Sequence, residues 1–157
     1  MVTLPDPVAA PARTAAVTLG AARLLGQHGL AVLREVKLAD GRRADLVGLA
    51  ADGTIMIVEV KSCARDFLTD GKWQDYLAWC DRFCFAVDRD FPLALLPAEP
   101  GLIIADAWDG VVLREPPSHP LAPARRRAIT LRLARLGALR AEAVADPAGQ
   151  QRSLAPD

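Results

Sequence analysis

"ADLVGLAADGTIMIVEVK", residues 44–61, decides how this chain folds. An apolar run reaches "ADG" at 51–53, turns, and resumes as "TIMIVEVK". Asp-Gly between two such runs is the signature of a β-hairpin. A three-residue loop at Ala51-Asp52-Gly53, with Gly53 left-handed, pairs Ala50 with Thr54; counting outward then sets Asp45 opposite Glu59. Side chains alternate across a strand, so Ile55, Ile57, Glu59 and Lys61 share one face, and Asp45, Val47 and Leu49 share the matching one. The apolar members pack a helix layer, while two acids and a base cluster at the end of the hairpin. A two-residue loop would shift the register and undo this arrangement unless a bulge restored it.

Outward from the hairpin, "LAVLREVKL" (30–38) is a strand joined to it by "ADGRR", with Asp40-Gly41 at the tip. Before it, Val17, Ala21, Leu24 and Leu25 mark one face of a helix over 11–27, stopped by Gly29. After it comes a helix over 67–79, then a short buried strand, "RFCFAV" (82–87). "GLIIAD" (101–106) and "GVVLRE" (110–115) form a hairpin around Trp108-Asp109-Gly110, and residues 122–145 form a long Ala/Leu/Arg-rich helix. Tight turns force antiparallel pairing, whereas the helical connection into 82–87 permits a parallel crossover. The expectation is an α/β fold in αβββαβ order. It has a mixed sheet flanked by helices, extended by a C-terminal hairpin and a closing helix. One domain over 11–146 is expected, with a flexible arm at 1–10 and a frayed tail at 147–157.

The chain has 157 residues, 52% of them apolar, and its 19 basic and 19 acidic side chains cancel. Such a composition fits one ordinary domain, and any nucleic-acid role must come from charge distribution rather than net charge. Cys63, Cys80 and Cys84 are too few and too irregular for a disulfide framework and suit a reducing compartment. A structural zinc site wants four ligands, and His28 and His119 lie far from the cysteines, so these read as free, mostly buried thiols. The start carries no secretory signal, and "VTLGAARLLGQHGLAVL" is broken by Arg23, Gln27 and His28, so no membrane span is expected and the location reads as cytoplasmic.

Two carboxylates on adjacent strands repel unless a cation sits between them. Oxygen-only ligation by Asp45 and Glu59, with the Val60 carbonyl beside them, favours Mg²⁺ or Mn²⁺. Lys61 then orients or polarises an attacking water or neutralises a phosphate, which is chemistry for metal-assisted phosphodiester hydrolysis. The plainer alternative is a surface salt bridge worth about 0–1 kcal/mol. Glu-x-Lys alone is a weak pattern. An acid fourteen residues earlier, across a tight turn, strengthens it.

This arrangement resembles the PD-(D/E)xK nuclease-like superfamily, with Asp45 as the first acid and "EVK" (59–61) as the second half. Through "RADLVGL" (43–49), "IVEVKSCARDF" (57–67), "DGKWQDYLAWCDRFCFAVD" (70–88) and "GLIIAD" (101–106), the chain is similar over nearly its whole length to the MmcB-type bacterial DNA repair proteins. The resemblance implies a restriction-endonuclease-like core, a divalent metal at Asp45 and Glu59, Lys61 as the catalytic lysine, and a role on damaged DNA. It also implies that polar groups of the following helix lie near the scissile phosphate: Lys72 on phosphate, Gln74 orienting Lys61 or a water, Tyr76 in either role. Many active members carry an acid in the first helix, and "PARTAAVTLGAARLLGQ" has none. Glu35 stands in for it as a metal ligand if its register brings it beside Asp45; otherwise it is an exposed strand residue paired with Arg34 or Arg43.

Basic residues concentrate late. Arg125, Arg126 and Arg127 at a helix start oppose the macrodipole, so an anionic partner there, phosphate by this reading, brings relief. Arg42 and Arg43 flank the acid pair and are better placed to meet DNA. Nothing in the sequence reads base edges, so recognition is of DNA structure rather than sequence. Two functions remain: a metal-dependent nuclease on structured or damaged DNA, or a non-cleaving module of the same fold that binds DNA or docks a repair protein.

Overall fold

The computed structural model describes residues 9–69 and 71–149. Most of the expected N-terminal arm (1–8) and the end of the expected tail (150–157) lie outside the described residues. Six strands form one sheet in sequence order: β1 (Ala31–Lys37), β2 (Arg43–Leu49), β3 (Ile55–Val60), β4 (Arg82–Val87), β5 (Gly101–Ala105) and β6 (Gly110–Arg114). The pairs β3–β4 and β4–β5 are parallel and the other three antiparallel, so the sheet is mixed and the αβββαβ order holds. None of the helices among the described residues is long and apolar enough to cross a membrane.

Helix α1 (Ala10–Gln27) buries Val17, Gly20, Ala21, Leu24 and Leu25, a single stripe at helical spacing. It covers one sheet face together with Leu46, Val58, Ala86 and Ile103. The opposite face is covered by α3 (Pro123–Ala145) through Ile129 and Leu133, over Val47, Ile55 and Ile57. The cysteines are free, and burial pushes the Cys80 and Cys84 thiols up to about 12.

The expected helix over 67–79 is two pieces. A short α2 (Ala64–Thr69) follows β3 directly, and a 3-10 helix (Trp73–Ala78) follows it. Gly71 resists helix, and Lys72 at φ −136° is not helical. The tighter second helix has a packing reason. In a 3-10 helix residues i and i+3 eclipse, so Trp73 and Tyr76 lie over one target and both stack on Phe83, at 5.5 and 5.6 Å between ring centres.

The β2–β3 hairpin has the expected register along its length. Leu49 pairs with Ile55 and Leu46 with Val58, the Ala50 N–H donates to the Thr54 carbonyl at 2.9 Å, and Gly53 sits at φ +89°. The ladder ends at Leu46 and Val58, one residue short of Asp45 and Glu59.

Candidate active site at the end of the central hairpin

The ladder between β2 and β3 stops where the site begins. Hydrogen-bonded pairs recur at every second residue from Ala50 and Thr54, so the Val60 N–H should next meet the Ala44 carbonyl. It donates instead to the Asp45 Oδ2 atom at 2.8 Å. A side-chain carboxylate therefore stands in for a backbone acceptor in the fork between the strands.

The β1 side of the fork is distorted as well. Arg34 pairs with Leu46 and Val36 with Ala44, but Glu35 and Asp45 between them do not pair, and Glu35 has φ +49°. Such a conformation costs a non-glycine residue energy and marks a locally imposed shape. Alternation breaks there: Leu33 and Val36, and likewise Val47 and Ala44, all join the core on the α3 side.

Glu59 and Lys61 leave β3 on that same side, each only 6% exposed. Their Oε1 and Nζ atoms lie 3.7 Å apart. The backbone beneath them is fixed, since Glu59 pairs with Phe85 of β4 and the Lys61 N–H donates to the Ala86 carbonyl at 3.0 Å. Burying an ion pair gains little stability over apolar residues of equal volume, so stability alone does not account for the pair. Ser62, buried next in line, donates its hydroxyl to Asp66 of α2 at 2.8 Å and anchors the helix that follows the lysine.

Asp45, Glu59 and the Val60 carbonyl would offer a metal oxygen donors only. Mg²⁺ accepts one or two carboxylates while keeping several waters, so the set fits a sparsely held ion of that kind. Among the described residues no three His, Cys, Asp or Glu side chains gather to hold a metal. Glu35 accordingly does not complete the set. It is the exposed strand residue of the alternative reading, its carboxylate 3.8 Å from Arg43.

The other anticipated residues separate. Lys72 and Gln74 are exposed, before and within the 3-10 helix, and Arg43 is 65% exposed. Arg42 bonds Asp75 and lies over the Tyr76 ring at 5.6 Å. Tyr76 corrects its DNA-contact assignment: it is buried between Phe83 and Arg42, with its hydroxyl donating to the Arg43 carbonyl at 3.3 Å. The residue holds the β1–β2 turn in place. Arg125 lies over the Trp79 ring at 4.2 Å, and Arg127 is exposed.

Arg126 is the second correction. The anion that relieves this arginine at the α3 N-terminus is internal. Its guanidinium grips buried Asp81 with two bonds of 2.6 and 2.7 Å and also donates to the Gly53 carbonyl at 2.8 Å. Asp81 further accepts the Ile55 and Leu121 N–H groups, both at 2.8 Å. Burial alone would raise its carboxyl, but the Arg126 bonds and the two backbone donors outweigh that and hold it at about 2. Sequence reasoning missed Asp81. Its only local signal is a lone acid immediately before a buried strand. The ion pair between Arg13 of α1 and Asp88, at 2.7 Å, was equally invisible, because 75 residues separate the partners.

Comparison with known proteins bears on the fold and the family. The SPO1766 protein of unknown function from Silicibacter pomeroyi is a solved structure similar to this chain, with a TM-score of 0.84 and 45% identity over 87% of this chain and 94% of that one. No curated protein matches. The family described as DNA repair protein MmcB-like matches residues 5–148, nearly the full length. The chain belongs to the MmcB-like DNA repair protein family.

Proposed function

We propose that this chain is a metal-dependent deoxyribonuclease of the PD-(D/E)xK type, acting on structured or damaged DNA. The observation that carries the reading is the fork itself: the Asp45 carboxylate takes over a ladder hydrogen bond one step from a buried Glu59–Lys61 pair. Membership of a DNA repair family supplies the substrate class. Asp45 and Glu59 would hold Mg²⁺ or Mn²⁺, with the Val60 carbonyl beside them. When bound, such an ion supplies Lewis-acid charge at a phosphoryl oxygen and lowers the pKa of water.

The chain's own residues do the rest. The rigid hairpin fixes both carboxylates. Glu59 holds the Lys61 ammonium, which orients a water and neutralises phosphate charge. Arg43 and Lys72, both exposed, contact the DNA backbone, and Gln74 orients Lys61 or a water. Recognition rests on backbone shape and charge, not base edges.

The second reading, a DNA-binding or docking module that does not cut, is favoured by one observation: the donor set has two carboxylates and no third among the described residues. Two experiments separate them. Labelled single-stranded, duplex, flap, nicked and four-way-junction DNA are incubated with the protein and Mg²⁺ or Mn²⁺. Metal-dependent cutting is expected, lowered about a hundredfold or more by Glu59→Ala and by Lys61→Ala. Titration calorimetry with Mn²⁺ alone should show binding that Asp45→Asn abolishes. Intact DNA together with no metal binding would establish the module.

A further inference from the structure

The sheet has two edge strands among the described residues, β1 and β6, and they are protected very differently. β1 carries Arg34, Glu35 and Lys37 and is bent by the left-handed Glu35. Its carbonyls are also taken: Arg140 donates to those of Arg34 and Glu35, and Arg132 donates to that of Lys37 at 2.8 Å. Charge, a kink and occupied acceptors are the devices by which natural sheets block pairing at an edge.

β6, "GVVLR", is less guarded: its pairing with β5 shifts register between Leu102 and Ile103, but among the described residues no outward charge and no side-chain donor covers its carbonyls. Its single charge, Arg114, is turned back into the protein, donating to the Pro100 and Pro97 carbonyls at 2.7 and 2.8 Å. Val111 and Leu113 are each 57% exposed, and Trp108 at the turn is 79% exposed. The hydrogen-bond phase can be read from the turn. The Asp106 N–H donates to the Asp109 carbonyl at 3.0 Å, and Ile104 pairs with Val111, so Gly110 and Val112 direct their backbone groups away from β5. The Gly110 N–H is taken by the Asp109 side chain at 2.7 Å. The Val112 N–H and the Gly110 and Val112 carbonyls face the outward edge, and none of the described residues bonds them.

Charge selects the occupant. Beside the turn lies a concavity of about 600 Å³ floored by Ile104 and Val111, with Asp88, Asp90, Asp106 and Asp109 around it. Of its lining residues two are basic, Arg13, which is committed to Asp88, and Arg89; Arg23 reaches the turn from α1 and donates to the Ala107 and Trp108 carbonyls, leaving the acids in excess. That excess repels DNA and attracts cations. A second copy fits poorly, because antiparallel pairing of two β6 strands about Val112 sets Asp109 against Glu115 twice over.

We infer that β6 is a docking edge for an extended segment of a partner protein that alternates aliphatic residues with Lys or Arg and adds to the sheet as a further strand. The inference does not depend on the nuclease reading.

The test is selection of a phage-displayed random-peptide library against the full chain. Enriched peptides should alternate aliphatic with basic residues. Their binding should fall about tenfold in Val112→Pro, which removes one outward donor, and similarly in Leu113→Lys, an exposed change that does not threaten folding. Amide exchange at Val112 should be fast in the free protein and slow with the peptide. The inference is overturned if nothing enriches, if the peptides bind Leu113→Lys undiminished, or if Val112 is already slow in the free chain. The last result, with a dimer mass by light scattering, would identify a second copy as the occupant. Both variants should act on DNA as wild type does.

Discussion

Glu59 and Lys61 cost the protein stability that the proposed chemistry would explain, and a double-mutant cycle can measure it. Removing one partner of a buried pair leaves the other uncompensated, so Lys61→Met should lower unfolding free energy by about 3 kcal/mol in urea titrations. Replacing both, as Glu59→Leu with Lys61→Met, should restore wild-type stability or exceed it, while any DNA cleavage stays lost. A double variant no more stable than the single would mean the pair is structural. Asp81 and Arg126 behave in the opposite sense, because their pair also satisfies backbone donors. The folded Asp81 carboxyl sits at about 2 against an ordinary 3.8, so its contribution is fully present above about pH 4 and lost as pH falls through 2. It amounts to about 2 kcal/mol. Asp81→Asn should therefore be less stable at neutral pH and show a flatter acid limb of stability between pH 4 and 2. The central hairpin and its register were legible, because the Asp52-Gly53 turn and the apolar runs on either side of it are local. Asp81 was not, because its partners Leu121 and Arg126 come from 40 and 45 residues away.

At the scale of elements, periodicity identified what repeats and missed what is irregular. α1 follows from its single buried stripe, and the three strands of the central meander follow from the tight turns between apolar runs, although β3 is buried on both faces. The segment after β3 fails as a single helix because its side chains answer to β4 rather than to helical period. Trp73 and Tyr76 need the eclipsed spacing of a 3-10 turn to reach the same Phe83 ring. The left-handed Glu35 is likewise invisible in "LREVK", where nothing local favours it. Gly20 supplies an element-level test. It lies where α1 crosses the β5–β6 turn, and a methyl group there would overlap the carbonyl oxygens of Asp106 and Asp109. Alanine usually improves a helix interior by about 1 kcal/mol. Here Gly20→Ala should instead destabilise by about 2–3 kcal/mol, since backbone must move. A raised melting temperature would mean that α1 does not sit this close to the hairpin.

Across the whole molecule, equal numbers of acidic and basic side chains leave no net field to draw DNA in. Binding must rest on where the cations stand and on whether their charge is already spent. Arg126 is committed to Asp81 and Arg42 to Asp75, whereas Lys72 is exposed and Arg43 meets only a distant Glu35. Four acids line the hollow beside β6, whereas the β1–β2 turn and the 3-10 helix set Arg42, Arg43 and Lys72 against Asp40 and Asp75. This division was hidden in the sequence. The runs "RR" at 42–43 and "RRR" at 125–127 look equally free there, and only tertiary partners distinguish them. Salt dependence reads the distinction directly. Each phosphate contact contributes about one unit to the slope of log affinity against log salt. Arg43→Gln and Lys72→Gln should each reduce that slope by about one and weaken binding to every DNA alike. Arg126→Gln should leave the slope of the folded protein unchanged and reveal its loss in denaturant instead. If Arg126→Gln altered the slope while Arg43→Gln did not, DNA would lie across the α3 N-terminus, and the fork at Asp45 would have to act on a strand approaching from that side.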